Sequence, residues 1–350
     1  MATYDRLEGL ELQIDGWEMQ GRSLDVGRFK RTTTIVILSG DGHEGRGEDV
    51  TYDVDEQTLF QRQIDLSPVV GRHTLDDLSR RLETMRLWTH EPEQDAWRNY
   101  RRWAIESAAL DLALRQAGRS LAEVLELVPR PVTFAASLSL PNPPTTEPLR
   151  RLLDRVPHLR FKLDAGSHWT CELVDELADL AVVDVVDFKG AYHGTPVDQE
   201  PDPALYEKIA RGFGTAWMED PAWTPATREI LAPHLDRVSW DAPIHDVADI
   251  VRLDHAPRVL NMKPSRFGSI ASLMKAYDYC REAGIELYGG GQFELDVGRG
   301  QIQYLASLFH PEGCNDVAPT DYHRPSLSTE LPHTPLAPAP ASVGFRWGRG

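Results

Sequence analysis

The chain is predicted to be an α/β protein built on a (β/α)8 barrel of the TIM type, with an α+β domain in front of it. Three observations predict this. After residue 130, about eight short apolar runs alternate with helix-length stretches, as parallel strands joined by crossover helices do. Before it, strands come first and helices after. Lastly, five successive apolar runs carry or lead into Lys162, Asp187, Glu219, Asp241 and Lys263, spaced 22 to 32 residues apart. A parallel barrel of ~250 residues gives about 30 residues to each strand–helix unit and presents its reactive groups where the strands end. A doubly wound sheet alternates in the same way, but it gathers ligands at one switch point and not at five strand ends.

The expected domains are 1–130 (α+β), 131–325 (barrel) and a Pro-rich tail, 326–350, whose apolar end docks on the first domain. Residues 7–55 read as strands. Residues 9–14 alternate, and the β-branched run 32–38 meets the tight-turn signal Ser39-Gly40-Asp41-Gly42. Gly40, Gly42 and Gly45 satisfy G-x-G-x-x-G, but no helical period follows to aim an N-terminus at a pyrophosphate, so a hairpin is expected. From Thr74 the pattern is helical, with Leu75, Leu78, Leu82 and Met85 on one face and Thr74 with Asp77 serving the first turn. A second helix spans about 95–117 and stops at Gly118. Ser120 and Glu123 have capping-box spacing. The barrel strands are expected at 133–140, 159–163, 182–188, 214–218, 238–240, 259–262, 285–288 and 315–318.

Composition narrows the partners. The 350 residues carry 54 acids against 37 Lys and Arg, a net charge of −17. That disfavours nucleic acid and anionic membrane surfaces, both of which need basic patches. No apolar run approaches the ~18 residues of a membrane span, the N-terminus lacks an apolar signal core, and Cys171, Cys280 and Cys314 form no metal or disulfide pattern. A reducing cytoplasm is the expected location. Capped barrels often associate, so a homo-oligomer is compatible with the chain.

The strand-end residues suggest a chemistry. Three carboxylates converging within ~4 Å repel by several kcal/mol per pair at an effective dielectric near 20. They need protons or a shared cation. An all-oxygen trio of Asp187, Glu219 and Asp241 suits Mg2+. Lys162 and Lys263, from the second and sixth strands, would approach from opposite sides of the ring. A partly desolvated lysine beside such a centre can act as base near neutral pH, and the cation can stabilise the enediolate left when a proton next to a carboxylate is removed.

These residues resemble the enolase superfamily, in its muconate-lactonising branch, over nearly the whole chain. Residues 32–48 are similar to the hairpin of the capping domain. Lys162 in Phe161-Lys162-Leu163 resembles the second-strand catalytic lysine, and Asp187, Glu219 and Asp241 match the three metal ligands. Asn261-Met262-Lys263-Pro264-Ser265-Arg266-Phe267-Gly268 is the most specific match, to the sixth-strand lysine motif. Gly289-Gly290-Gly291-Gln292-Phe293-Glu294 resembles the seventh-strand segment, and Asp316 stands where the branch often has an acid. The resemblance implies a cap over a modified barrel, Mg2+, a small carboxylate substrate and removal of its α-proton. Arg160, Glu294, Asp316 and Lys189 are the candidate supporting or substrate-binding residues. Racemisation, epimerisation or cycloisomerisation are the expected outcomes, because two lysines serve two faces. A β-elimination of the o-succinylbenzoate synthase type and a non-catalytic acid-binding relative are the alternatives.

The chain departs from the pattern at several points. Arg160 replaces the first lysine of K-x-K and cannot serve as a base. Lys189 stands where Asn is common, and Ala242 where Glu is common. Lys189 either replaces a charge at the metal or points outward, and the outward reading is preferred. His43, His193 and His310 do not fit a seventh-strand base. Asp316-Val317-Ala318 keeps only the first acid of an Asp-x-Asp. The cap loops expected to meet substrate are 19–29 and 47–55, with Trp17, Arg22, Phe29 and Lys30 as candidates for contact.

Overall fold

The β-branched run near residue 35 becomes the middle strand of a three-stranded antiparallel sheet in the computed structural model of the chain. The structure describes residues 2–27, 29–192, 195, 197–323 and 328–348, so His193 and part of the tail lie outside it. Strands β1 (Glu11–Ile14), β2 (Gly16–Asp25), β3 (Lys30–Gly40), β4 (His43–Asp49) and β5 (Gly71–Thr74) belong to the first domain. The turn from β3 to β4 is Asp41-Gly42, both at positive φ (47° and 73°), as a two-residue hairpin requires. No helix opens at the glycine pattern. Its third glycine has another role: a Cβ on Gly45 would lie 2.2 Å from the Ala108 carbonyl oxygen, so its absence lets the long helix Ala96–Gln116 close on β4.

The helix Leu75–Thr84 starts with the Thr74–Asp77 capping box and Leu121–Leu125 with that of Ser120 and Glu123. The strand reading of 7–55 ends early. Val54–Gln63 is a helix capped by Asp53, and β5 pairs with β1. This helix escaped notice because it buries only Glu56, Gln57 and Phe60, too few apolar residues to show a period.

The second domain carries β6 (Ala135–Ser139), β7 (Arg160–Asp164), β8 (Val183–Asp187), β9 (Trp217–Glu219), β10 (Val238–Trp240), β11 (Val259–Met262) and β12 (Glu286–Gly289). They pair in chain order, all parallel, in a curled seven-stranded sheet covered by helices. The eighth strand expected at 315–318 is reduced to single bridges. Asn315 pairs with Phe134 at one edge and Asp316 with Gly290 at the other. The Asn315 side chain does the rest, accepting from the Gly289 amide (2.6 Å) and donating to the carbonyls of Thr133, His310 and Gly313.

Alternation along the strands layers the barrel interior. Val185, Val259 and Tyr288, with Trp217 and Cys314, form an apolar cluster separate from the main core. Two residues further along, on the same strand faces, come Asp187, Glu219 and Asn261. A dry floor thus lies under a polar layer.

The first domain is fastened over one side of the barrel. Arg31, 1 % exposed, donates to the carbonyls of Val50, Thr51, Gln292 and Phe293. The Glu48 carboxylate accepts the amides of Leu295, Asp296 and Gly298 at the start of helix Val297–Phe309, a favourable place for negative charge. At the β2–β3 end, Arg22 pairs with Asp296 at 2.6 Å and Phe29 meets Phe293 edge-on. Phe345 of the tail is buried against Trp103, and its amide donates to Asp111. Among the described residues, no helix is long and apolar enough to cross a membrane.

Candidate active site

Asp187 and Glu219 are the last residues of β8 and β9 and lie side by side in the parallel register. Asp220 follows Glu219 directly, Asp241 follows β10, and Lys263 follows β11. Lys162 rises from the middle of β7. All six are buried. Asp187, Glu219 and Asp220 each offer one oxygen within 4.8 Å of the others, a triad that can hold a metal ion.

The two lysines reach different parts of this acid cluster. Lys162 Nζ bonds Glu219 Oε1, lies 3.2 Å from Asp187 Oδ2 and 3.9 Å from Asp316 Oδ2. Lys263 Nζ lies 2.6 Å from Asp241 Oδ2. Asp241 also accepts from Arg266 Nε (3.0 Å) and the Tyr192 hydroxyl (2.9 Å). Glu219 Oε2 accepts from the Tyr288 hydroxyl and from Asn261 Nδ2 (3.2 Å). Asn261 Oδ1 is buried without a hydrogen-bond partner.

Asp220 has a different task. Its φ is +46°, a strained value for a residue with a Cβ. The conformation lets its two oxygens accept the amides of Asp241 and Ala242, each at 2.8 Å. Each of its oxygens thus helps to fix the strand end that carries Asp241.

Electrostatics follow from burial opposed by neighbours. Burial alone would lift the Asp187 carboxyl, but Lys189 and Lys162 outweigh it and hold the pKa below the usual range. Asp241 is likewise low, burial being outweighed by Arg266 and Lys263. Glu219 and Asp220 go the other way. Burial, then the nearby acids, raise both, against the pull of Lys162 on Glu219 and of the two amides on Asp220. Burial lowers the Lys162 pKa, yet Glu219 and Asp187 more than compensate and keep it an ammonium.

Lys162, Asp187, Glu219, Asp316 and Lys189 therefore meet in one group, with Asp241 and Lys263 beside it. Lys189 does not point outward. Its φ is +56°, and its amine bonds Asp187 Oδ2 and lies 3.2 Å from Asp164 Oδ1. Asp187 and Asp164 together hold its charge. Two candidates are not brought to the group. Arg160, at the start of β7, sits a layer below Lys162, bound to Asp184 and to the Ala181 carbonyl. Glu294 pairs with Arg299 at 3.0 Å and accepts the Gln292 amide. Asp220, Tyr192 and Tyr288 were not anticipated, and Asn261 and Arg266 were noted only as part of the motif around Lys263, without a role of their own. The sign available for Asn261 was its place two residues before Lys263, on the same strand face.

Comparison with known proteins agrees with this architecture. The chain is 26% identical over 338 residues to an N-succinylamino acid racemase of Thermus thermophilus, covering 87% of this chain and 83% of the relative. It is 25% identical over 304 residues to an o-succinylbenzoate synthase of Geobacillus stearothermophilus, covering 81% and 76%. In fold it matches the muconate lactonizing enzyme of Pseudomonas putida with a TM-score of 0.68 at 19% identity, covering 95% of this chain and 96% of that one. A dipeptide epimerase of Methylococcus capsulatus, solved with a Mg ion, matches at 0.63 and 17%, covering 92% and 90%. These relatives and fold neighbours are enolase-superfamily members, and the capped barrel of this chain is of their kind. Within that setting the chain belongs to the family described as DUF8230, a domain of unknown function, whose N-terminal domain matches residues 5–124 and whose C-terminal domain matches 128–324.

Proposed function

We propose that this protein removes the proton α to a carboxylate of a small organic acid and, with Mg2+, catalyses a racemisation, epimerisation or cycloisomerisation. The observation that carries the reading is the placing of Lys162 and Lys263 on different carboxylates of one buried acid cluster. The surroundings suit a hard divalent cation. The donor set is oxygen only, and Asn261 Oδ1 beside it lacks a partner. Asp187, Glu219 and Asp241 would hold the ion. Asp220 is the nearer third acid, but its oxygens are committed to backbone amides, whereas those of Asp241 are held by side chains that can move. A divalent ion there supplies the positive charge that stabilises an enediolate.

The remaining work falls to the chain's own residues. Lys162 can accept a proton only as a free amine, so Glu219 and Asp187 must first be engaged elsewhere. Lys263 then carries a proton at the other face of the substrate carbon, or pairs with the developing charge. Arg266 and Tyr192 hold Asp241 in place, and Tyr288 and Asn261 hold Glu219.

A β-elimination uses the same two amines, and the o-succinylbenzoate synthase relative supports it as the second reading. Incubation with a panel of carboxylic acids, some α-substituted and some carrying a β-hydroxyl, in heavy water with Mg2+ separates the two. An isomerase places deuterium at the α-carbon of recovered acid, whereas a lyase yields an unsaturated product with loss of water. Neither outcome with any acid, despite bound metal, would leave a binding protein in place of an enzyme.

A further inference from the structure

Three acids of the cluster are already paired with cations of the chain itself. Asp187 pairs with Lys162 and Lys189, Glu219 with Lys162, and Asp241 with Lys263 and Arg266. Among these cations, Lys189 is bound in a distinctive way. Its backbone amide donates to Asp187 Oδ1 at 3.0 Å, and its ammonium donates to Asp187 Oδ2. One residue thus covers both oxygens of the acid two positions before it. The positive φ of Lys189 turns its side chain back over that acid. The amine also has a second seat, Asp164 Oδ1 at 3.2 Å, on a carboxylate whose Oδ2 accepts from the Ser139 hydroxyl at 2.5 Å. The Tyr192 ring lies 5.1 Å from the amine.

We infer that Lys189 is a tethered counter-ion that competes with a divalent cation for Asp187, moving onto Asp164 when the ion binds. This rests on the proposed metal site and adds a control on it. A divalent ion entering the cluster must displace a positive charge from a buried carboxylate, and the cost of that displacement lowers the apparent affinity. Asp164 reduces the cost without removing it, because the ammonium then stands beside the ion.

Calorimetric titration of Mg2+, and of Mn2+ as a second probe, into the full chain and three variants tests this. Lys189→Met and Lys189→Asn remove the charge, and Asn tolerates positive φ. Lys189→Arg keeps it. Both uncharged variants are expected to bind at least about tenfold more tightly than the native chain, and Lys189→Arg to stay within about threefold of it. Thermal unfolding gives a readout independent of titration heat. Without metal the uncharged variants should melt lower than the native chain, and added Mg2+ should raise their melting temperature by more. Equal and measurable affinity in all four proteins overturns the role of Lys189 and leaves the metal site standing. Weaker binding in the uncharged variants also overturns it, by making Lys189 an aid to the ion. No binding in any folded variant overturns both.

Discussion

Lys162→Met is expected to abolish α-proton exchange while Mg2+ binding persists. Positioned general bases contribute about 10²–10⁴ in rate, so a loss of that size is expected in deuterium incorporation measured by NMR. Methionine, one atom shorter, keeps an unbranched apolar stem, which matters because Lys162 is 1 % exposed. Removing its charge also leaves Asp187 and Glu219 without one of their cations. Breaking a buried pair by deleting one partner costs about 3–5 kcal/mol, so the metal-free variant is expected to melt well below the native chain and to recover part of the loss when Mg2+ is added. Lys263→Met should lose exchange by a comparable factor with a smaller stability cost, since Arg266 remains on Asp241. Unchanged exchange in either variant would remove that lysine from the chemistry.

The second large effect is on stability at acid pH. His310 is buried at the barrel base, with Nδ1 2.7 Å from Asn315 Oδ1 and Nε2 3.2 Å from the Tyr277 hydroxyl. Asn315 Oδ1 also accepts from the Gly289 amide, so the neutral ring with its proton on Nδ1 fits the network. Burial lowers the His310 pKa from 6.5 to about 4. The folded protein therefore resists a proton that the unfolded chain takes up from pH 6.5 downward. The folded pKa is depressed, so this contribution to stability is intact above pH 6.5 and is lost as pH falls toward 4, by about 3 kcal/mol in all. Urea unfolding of the native chain and of His310→Gln at pH 7 and pH 4.5 isolates it. The variant should be less stable at pH 7 yet lose about 2 kcal/mol less on acidification. Parallel losses in the two proteins would show that His310 is not the source.

Much of the framework was legible because it rests on period and spacing. Asp187 and Glu219 end strands whose apolar runs are plain in the sequence, and the motif around Lys263 reads as a strand running into a helix start. The capping boxes at Thr74 and Ser120 were equally plain, being four-residue signals. What escaped depends on long-range pairing. Asp220 reads as one of two acids before a proline, and nothing local shows that its φ turns positive and aims it at the amides of Asp241 and Ala242. Arg266 and Tyr192 meet Asp241 only because the barrel brings residues 25 and 49 positions away to one acid. Lys189 was expected in solvent because lysines usually are; the unbalanced acids behind it were not visible until the strands were side by side. Arg160 was placed near the site because it stands at the first lysine of the K-x-K pattern that the chain resembles, but a step of two residues along a strand moves a side chain about 6.6 Å down the barrel. The eighth strand was overread because Asn315 closes the ring mostly with its side chain.

The central claim is that Asp187, Glu219 and Asp241 share one divalent ion, flanked by the amines of Lys162 and Lys263. A crystal structure of the full chain grown with Mn2+, with the ion located by anomalous scattering, tests it most directly. The expected result is a single strong peak within about 2.0–2.6 Å of one oxygen from each of the three acids, with the two lysine nitrogens on either side and the Lys189 amine withdrawn to Asp164. No peak inside the barrel mouth, or a peak bound by other residues with Lys189 still seated on Asp187, would contradict it.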